Sequence, residues 1–468
     1  MLLSPNLEPI PDGTVLARRS SAWSTFWRLV VVVVLMFMVS QGTVVIAFAL
    51  MQGDPIAGLV AVILLVPFVL LLLHLRRPRL MHLIVAEPDP SGSMVHPIGT
   101  QRVLSTPIPT RAVQHITRMS PPLDMPSGRI LWSAFGLAVG LALVAPLVAE
   151  RVPGLLLLLI IASVPIWVLG FAAPVFGWWS FSLDVLGLPT EQHQGEAMLI
   201  AGMLATIPAI LINSLLFPLG LESFGIDSEA DLGQTLLLTI SAPVGEELSK
   251  AVAILMLARL ITGPARGFQV GFTVGLGFAL LENILYISSA AVQGPTAFSF
   301  TAVIRGVGSI PGHAVWTALT GASIGAWLQA HPSFRARFGG GSTRAAWMLL
   351  RSGDPVPIDP IGRSISGRPL PRWIDRSTRR AVPLPVSVVS GLTLAILGHA
   401  IWNGTAQALT LFGEDGGLSE AQTNLLTVLV LLGLIGVLMR VMMGLTETVR
   451  AAAISEADGM EANRPETR

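Results

Sequence analysis

Ten stretches of about nineteen or more mostly apolar residues punctuate this chain, and each is long enough to cross the hydrocarbon core of a bilayer as a helix. They fall near 29–52, 56–75, 130–149, 154–179, 197–218, 232–261, 268–291, 300–330, 385–411 and 423–446. Within lipid every backbone N–H and C=O needs a partner inside its own segment, so runs of this length can only be helices. The expected fold is an all-α, polytopic transmembrane helical bundle of about ten spans. Composition agrees, with 52% hydrophobic and 12% charged residues among 468. The absence of cysteine excludes disulfides, thiolate metal sites and cysteine nucleophiles. A net charge of +1 implies no bulk attraction to nucleic acid.

Loop charge orients the spans. Arg18, Arg19 and Arg28 precede the first span, Arg76, Arg77, Arg79, Arg102, Arg111, Arg118 and Arg129 follow the second, and another arginine-rich loop follows the eighth. With ten spans all of these lie on one side, which is then cytoplasmic, as are both termini. Glu222, Asp227, Glu229 and Asp231, and then Glu414, Asp415 and Glu420, mark the opposite side. One connection fits poorly: residues 183–196 should be cytoplasmic yet carry Asp184, Glu191 and Glu196 and no arginine. The expected organisation is a cytoplasmic segment 1–28, read as preceding a retained helix rather than a removable signal peptide, and five spans over 29–218 with a cytoplasmic loop at 76–129. A four-span core follows over 232–411 with a basic loop at 331–384, then a last span at 423–446 and a cytoplasmic tail at 447–468. Neither long loop has a clear amphipathic period. The stretch Pro371 to Arg380 is either a headgroup-binding patch or a plain positive flank.

The chain's single lysine, Lys250, stands inside the sixth apolar segment, after Glu246 and Glu247. Charged side chains at this depth cost about 2.5–3.5 kcal/mol each on insertion scales, so three on one helix point to a functional site. With Glu246 at 0° on a helical wheel, Glu247 falls near 100° and Lys250 near 40°, so the ammonium can reach either carboxylate. Ser241 and Pro243 resemble a helix start, which would set the carboxylates near the positive end of a broken helix. The competing reading is an ion pair that only locks helices together.

The next spans add further polar groups. Glu282 and Asn283 lie in the seventh, His313 and Thr317 in the eighth, His399 and Asn403 in the ninth. Gly312-His313-Ala314-Val315-Trp316 and Gly398-His399-Ala400-Ile401-Trp402 are near copies on helices expected to run in opposite directions, which suggests an inverted pair facing one cavity. Glycines before Glu246, His313 and His399 permit close helix approach. Carboxylates, imidazoles and an amide in a water-restricted site supply a base for water, an acid for a leaving amine and donors for an oxyanion, which suits amide hydrolysis.

Taken in order, Glu246-Glu247-x-x-Lys250, Phe278-x-x-x-Glu282-Asn283, His313 and His399-x-x-x-Asn403 resemble the motif set of PrsW-type intramembrane proteases, relatives of the CAAX prenyl endopeptidase and bacterial CAAX-like group. The resemblance covers about 232–411. It departs from the CAAX-like group at Lys250, where a more distant arginine is usual, and at Glu282, where a histidine is typical. It implies a multi-pass protein of the bacterial cytoplasmic membrane that cleaves a membrane-anchored protein, such as an anti-sigma factor in a site-1 step. In that reading Glu246 or Glu247 activates water with Lys250 holding the pair, His399 and Asn403 stabilise the oxyanion, and His313, with Glu282 and Asn283 nearby, orients water or moves a proton. A zinc version would use His313, His399 and one glutamate, Glu282, although no helix carries a two-ligand metal spacing. A proton- or cation-coupled transporter is the alternative, and a non-catalytic scaffold a third.

Overall fold

The computed structural model describes residues 21–77, 80–98, 102–118, 123–151, 156–186, 188, 190–337, 348–351, 354–357 and 381–462. The stretch 371–380, Arg18, Arg19 and Arg79 lie outside them. Helices α1 (Ala22–Met51) and α2 (Pro55–Leu75) are followed by a hairpin of β1 (Leu80–Ile98) and β2 (Arg102–Arg118). Then come α3 (Gly128–Arg151), α4 (Leu156–Leu186), α5 (Gln192–Leu211), α6 (Phe217–Ser223), α7 (Asp231–Leu236), α8 (Ala242–Met256), α9 (Pro264–Gln293), α10 (Pro295–Ile304), α11 (Ile310–Ala330) and the short α12 (Pro332–Ala336). A small ribbon of β3 (Met348–Arg351) and β4 (Asp354–Pro357) precedes α13 (Val388–Asp415) and α14 (Glu420–Ala462).

Among the described residues, seven helices are long and apolar enough to cross a membrane: Ala22–Met51, Pro55–Leu75, Gly128–Leu147, Ile161–Leu186, Gln192–Ser223, Pro264–Gln293 and Ala421–Ala453. The remaining three expected spans are also helical, over 231–256, 295–330 and 388–415, and they are the ones richest in polar groups. Among the described residues, the loop at 76–129, in which no period is legible, carries the one long departure from helix. There β1 and β2 pair antiparallel from Leu80↔Arg118 to Ile98↔Arg102.

Helix α9 sits at the centre, because glycines let its backbone touch neighbours on two sides. A Cβ on Gly267, Gly271 or Gly275 would stand 2.2, 2.4 or 2.3 Å from the carbonyl oxygen of Gly321, Thr317 or His313 on α11. On another face a Cβ on Gly277 would meet the Leu199 carbonyl of α5 at 2.1 Å, and one on Gly202 the Val274 carbonyl at 1.9 Å. Small residues at four-residue spacing are what lipid-embedded helices use to approach closely. The antiparallel α9–α11 register they set, continued two turns beyond the Gly275–His313 pair, brings Asn283 opposite Arg305.

Among the described residues, three helical rods contain a π-helical turn, at Ile212–Leu216, Leu237–Ser241 and Arg305–Ser309. Each is followed two residues later by a proline: Pro218, Pro243 and Pro311. Proline has no N–H and its ring clashes with the carbonyl four residues back, here Ser214, Thr239 and Val307, each at the middle of a π turn. Widening the turn relieves the clash without breaking the helix. The helix start expected at Ser241 is therefore absent. Ser241 has helical φ −61° and ψ −54° and makes no side-chain cap, and the rod runs unbroken from 231 to 256.

The poorly fitting 183–196 connection also finds its partners. Glu196, 1% exposed, is hydrogen-bonded by the Arg28 guanidinium and lies 3.4 Å from Arg76 Nη1. The arginines it lacks in sequence come from the first two turns of α1 and the C-cap of α2, which places the ends of three helices at one level.

Candidate active site

The second π turn leads directly into the face of α8 that carries Glu246, Glu247 and Lys250, all buried. Lys250 Nζ donates to Glu247 Oε1 at 2.7 Å and to Glu246 Oε2 at 3.4 Å. It also lies 2.9 Å from His313 Nδ1 and 3.9 Å from the centre of the Phe278 ring. A charged ammonium has no lone pair, so His313 Nδ1 accepts and its Nε2 carries the proton. That proton points to Glu282 Oε2, 2.9 Å away. Glu282 in turn accepts from Arg305 Nη2 at 2.7 Å, and Arg305 Nε also donates to Asn283 Oδ1.

The two glutamates of α8 are held differently. Glu247, 1% exposed, is the more tightly held: Lys250 and His399 Nδ1, the latter at 3.2 Å, share its Oε1, and Thr317 Oγ1 donates to Oε2 at 3.3 Å. Glu246, 7% exposed, has only long contacts, to Lys250 at 3.4 Å, Asn213 Nδ2 at 3.5 Å and His399 Nε2 at 3.8 Å. Because His399 gives its Nδ1 proton to Glu247, its other nitrogen faces Glu246.

The repeated pentapeptide now has a packing reason. Trp316 stacks on the His399 ring at 5.0 Å and 16°, and the two imidazoles meet edge to face at 4.8 Å. A Cβ on Gly398 would strike Trp316 at 2.6 Å and one on Gly308 would strike Trp402 at 2.3 Å. Each tryptophan thus lies over a glycine of the facing helical rod, and the histidines are drawn together.

Seven of the eight expected site residues join one chain of contacts: Glu246, Glu247, Lys250, Glu282, Asn283, His313 and His399. Asn403 stands apart, its Nδ2 donating to the Leu238 carbonyl inside the second π turn at 3.3 Å. Sequence reasoning missed Arg305 and Asn213, each on a π turn, as well as Ser241 Oγ, which donates to Asn213 Oδ1 at 3.0 Å. The proline two residues after each turn was the available signal. Its ambiguity is plain, since Pro67, Pro165, Pro174 and Pro208 lie inside helices with no π turn at the same offset.

Residues 196–350 match the family model of the PrsW family intramembrane metalloproteases. The PrsW match takes in Glu246, Glu247, Lys250, Glu282, Asn283, His313 and Arg305 and stops short of His399 and Asn403. It supports peptidase activity in this multi-pass membrane protein. No curated protein and no solved structure gives a significant match.

The PrsW description implies a metal. Among the described residues, Glu246, His313 and His399 offer ligand atoms that all lie within 4.8 Å of one another, and all three are buried. Two imidazoles and a carboxylate are a donor set that zinc takes, so the chemistry of the group fits an ion. The glutamate in this group is Glu246, not the Glu282 expected from the sequence. Glu282 is drawn away because Arg305 and the Nε2 proton of His313 both bind its Oε2. The Lys250 ammonium lies against two of the three donors, Glu246 and His313.

Proposed function

We propose that the chain is an intramembrane endopeptidase in which Glu246 activates water against a peptide bond of a membrane-anchored protein. The observation that carries this reading is the asymmetry of the glutamate pair. Glu247 is held by three donors, at 2.7, 3.2 and 3.3 Å, while Glu246 keeps only contacts of 3.4 Å or longer and faces His399 Nε2. A general base must have lone pairs to spare and be within reach of water.

The roles follow from the contacts. Glu246 takes a proton from water as the water oxygen bonds to the carbonyl carbon. In this mechanism His399 carries a proton on each ring nitrogen: Nδ1–H holds Glu247 beneath the stacked Trp316, Nε2–H donates to the oxyanion, and Asn403, one turn further along α13, exchanges its long bond to Leu238 for a second. The C–N bond then breaks, and Glu246 returns the proton to the leaving nitrogen. Lys250 keeps the two carboxylates close, and Arg305 with Asn283 holds Glu282 so that it fixes the ring of His313. If an ion binds, Glu246, His313 and His399 would hold it, and it would polarise water or the scissile carbonyl.

We place the chain in the bacterial cytoplasmic membrane with ten spans, both termini and the loops at 76–129 and 331–384 cytoplasmic, and the acidic segment 222–231 outside. The substrate class is a protein anchored in the same bilayer, such as an anti-sigma factor cut in a site-1 step. Lys250 and Glu282 set it apart from the CAAX-like group and its prenylated substrates. Proteoliposomes bearing the wild-type or Glu246→Gln chain, mixed with solubilised membrane proteins in heavy-oxygen water, test the reading. New C-termini carrying the label should form with the wild type alone; equal labelling from both would overturn it.

A further inference from the structure

A cavity of about 250 Å3 lies between two of the π-turn rods and ends against the candidate site. One wall is Asn213, Ser214, Phe217, Pro218 and Leu221; the other is Gly233, Gln234 and Leu237, with Ser228 and Glu229 at the loop end. Asn213 is the inner end, because its amide reaches Glu246 and accepts from Ser241. The outer rim is built rather than loose. Gln234 Nε2 donates to the Ser228 carbonyl at 2.9 Å, the Glu229 amide donates to Asp227 Oδ1 at 2.9 Å, and Gly233 packs so tightly that a Cβ there would stand 2.3 Å from the Asp227 carbonyl.

Three features fix what such a cavity would accept. Its walls are mixed, with apolar Phe217, Pro218, Leu221 and Leu237 interspersed with uncharged Asn213, Ser214, Ser228 and Gln234, which suits polypeptide better than a lipid tail. Its charge is one-sided: residues 212–241 contain Glu222, Asp227, Glu229 and Asp231 and no lysine, arginine or histidine, and Glu229 is the acidic side chain on the wall. Its length follows from the helix: Asn213 to Leu221 is eight residues, or about 12 Å at the helical rise. An extended peptide covers that in three to four residues at about 3.3–3.6 Å each.

We propose that this cavity is a substrate subsite that receives an extended segment of the protein being cut and selects, through Glu229, a lysine or arginine about three to four residues from the scissile bond. The proposal rests on the peptidase reading and names its substrate class. Glu229 acts on recognition, while Glu246 acts on the bond.

The test uses the full-length chain in nanodiscs and two fluorescent twelve-residue peptides, alike except for one arginine or one glutamate. The arginine peptide should bind about tenfold more tightly, the sum of one attraction gained and one repulsion avoided. Glu229→Gln should bring the ratio near one. In a Ser214→Cys chain, the native sequence having no cysteine, the arginine peptide should slow thiol modification. A ratio unchanged by Glu229→Gln, or no protection at position 214, overturns the subsite. Glu246→Gln should bind both peptides as the wild type does. A wild type that cuts nothing yet keeps the preference defeats the peptidase reading alone, and one that cuts without the preference defeats the subsite alone.

Discussion

Lys250 Nζ lies 2.7 Å from Glu247 Oε1, and neither side chain is exposed at all. A buried pair of this kind makes a poor stability device and a costly one to halve, because the surviving charge has no water to turn to. Lys250→Met should therefore cost about 3–5 kcal/mol of folding free energy, read as lost abundance and earlier thermal aggregation in detergent. The double variant Lys250→Met with Glu247→Gln should recover much of that loss. Equal destabilisation of single and double variants would show that the lysine packs without pairing.

Arg305 gives a parallel prediction at the other end of the contact chain. Arg305→Leu leaves Glu282 facing only His313 and should lower abundance, whereas Arg305→Leu with Glu282→Leu should restore abundance without activity. Quantitative immunoblotting of membranes reads the first effect, and a cleavage assay the second.

These two cases also mark what the sequence discloses. Glu246, Glu247, Lys250, His313 and His399 are legible because charge and imidazole are rare in bilayer-length segments and stand out against leucine and valine. Arg305 sits in such a segment too and escapes notice, because its meaning depends on the α9–α11 register, which a hydropathy window does not contain. Asn213 escapes for the same reason, as its alignment with Glu246 follows from a π turn that shifts the side-chain phase. Seven spans meet a strict test of apolarity and length in the structure, while the three rods that carry most of the site, legible as apolar stretches in the sequence, are diluted there by their polar groups. The β1–β2 hairpin is hidden by its prolines and by bulges between Pro88 and Val95, which break the two-residue alternation that marks a strand.

Topology is open to a direct check, since introduced cysteines meet no native competitor. In intact cells, cysteine at Ser228 should react with an impermeant thiol reagent, and cysteine at Ser93 in the hairpin should be shielded until the membrane is opened. The reverse pattern would invert the chain.

Metal content separates the two hydrolytic versions. With the ammonium of Lys250 on the Nδ1 lone pair of His313, the metal-free account expects cleavage to survive chelation and zinc to be well below one per chain. Asn403→Ala should then slow turnover by about 10²–10³, the usual loss of an oxyanion donor. Roughly one zinc per chain, lost together with activity in both His313→Ala and His399→Ala, would favour the ion held by Glu246, His313 and His399.

The assignment of Glu246 as the base is tested most directly by comparing membrane proteomes of cells that carry the wild-type chain, Glu246→Gln or no chain at all, with abundance of the two forms matched. The account predicts that one or a few membrane-anchored proteins accumulate uncleaved in the Glu246→Gln cells as they do without the chain. Full cleavage by Glu246→Gln would contradict it.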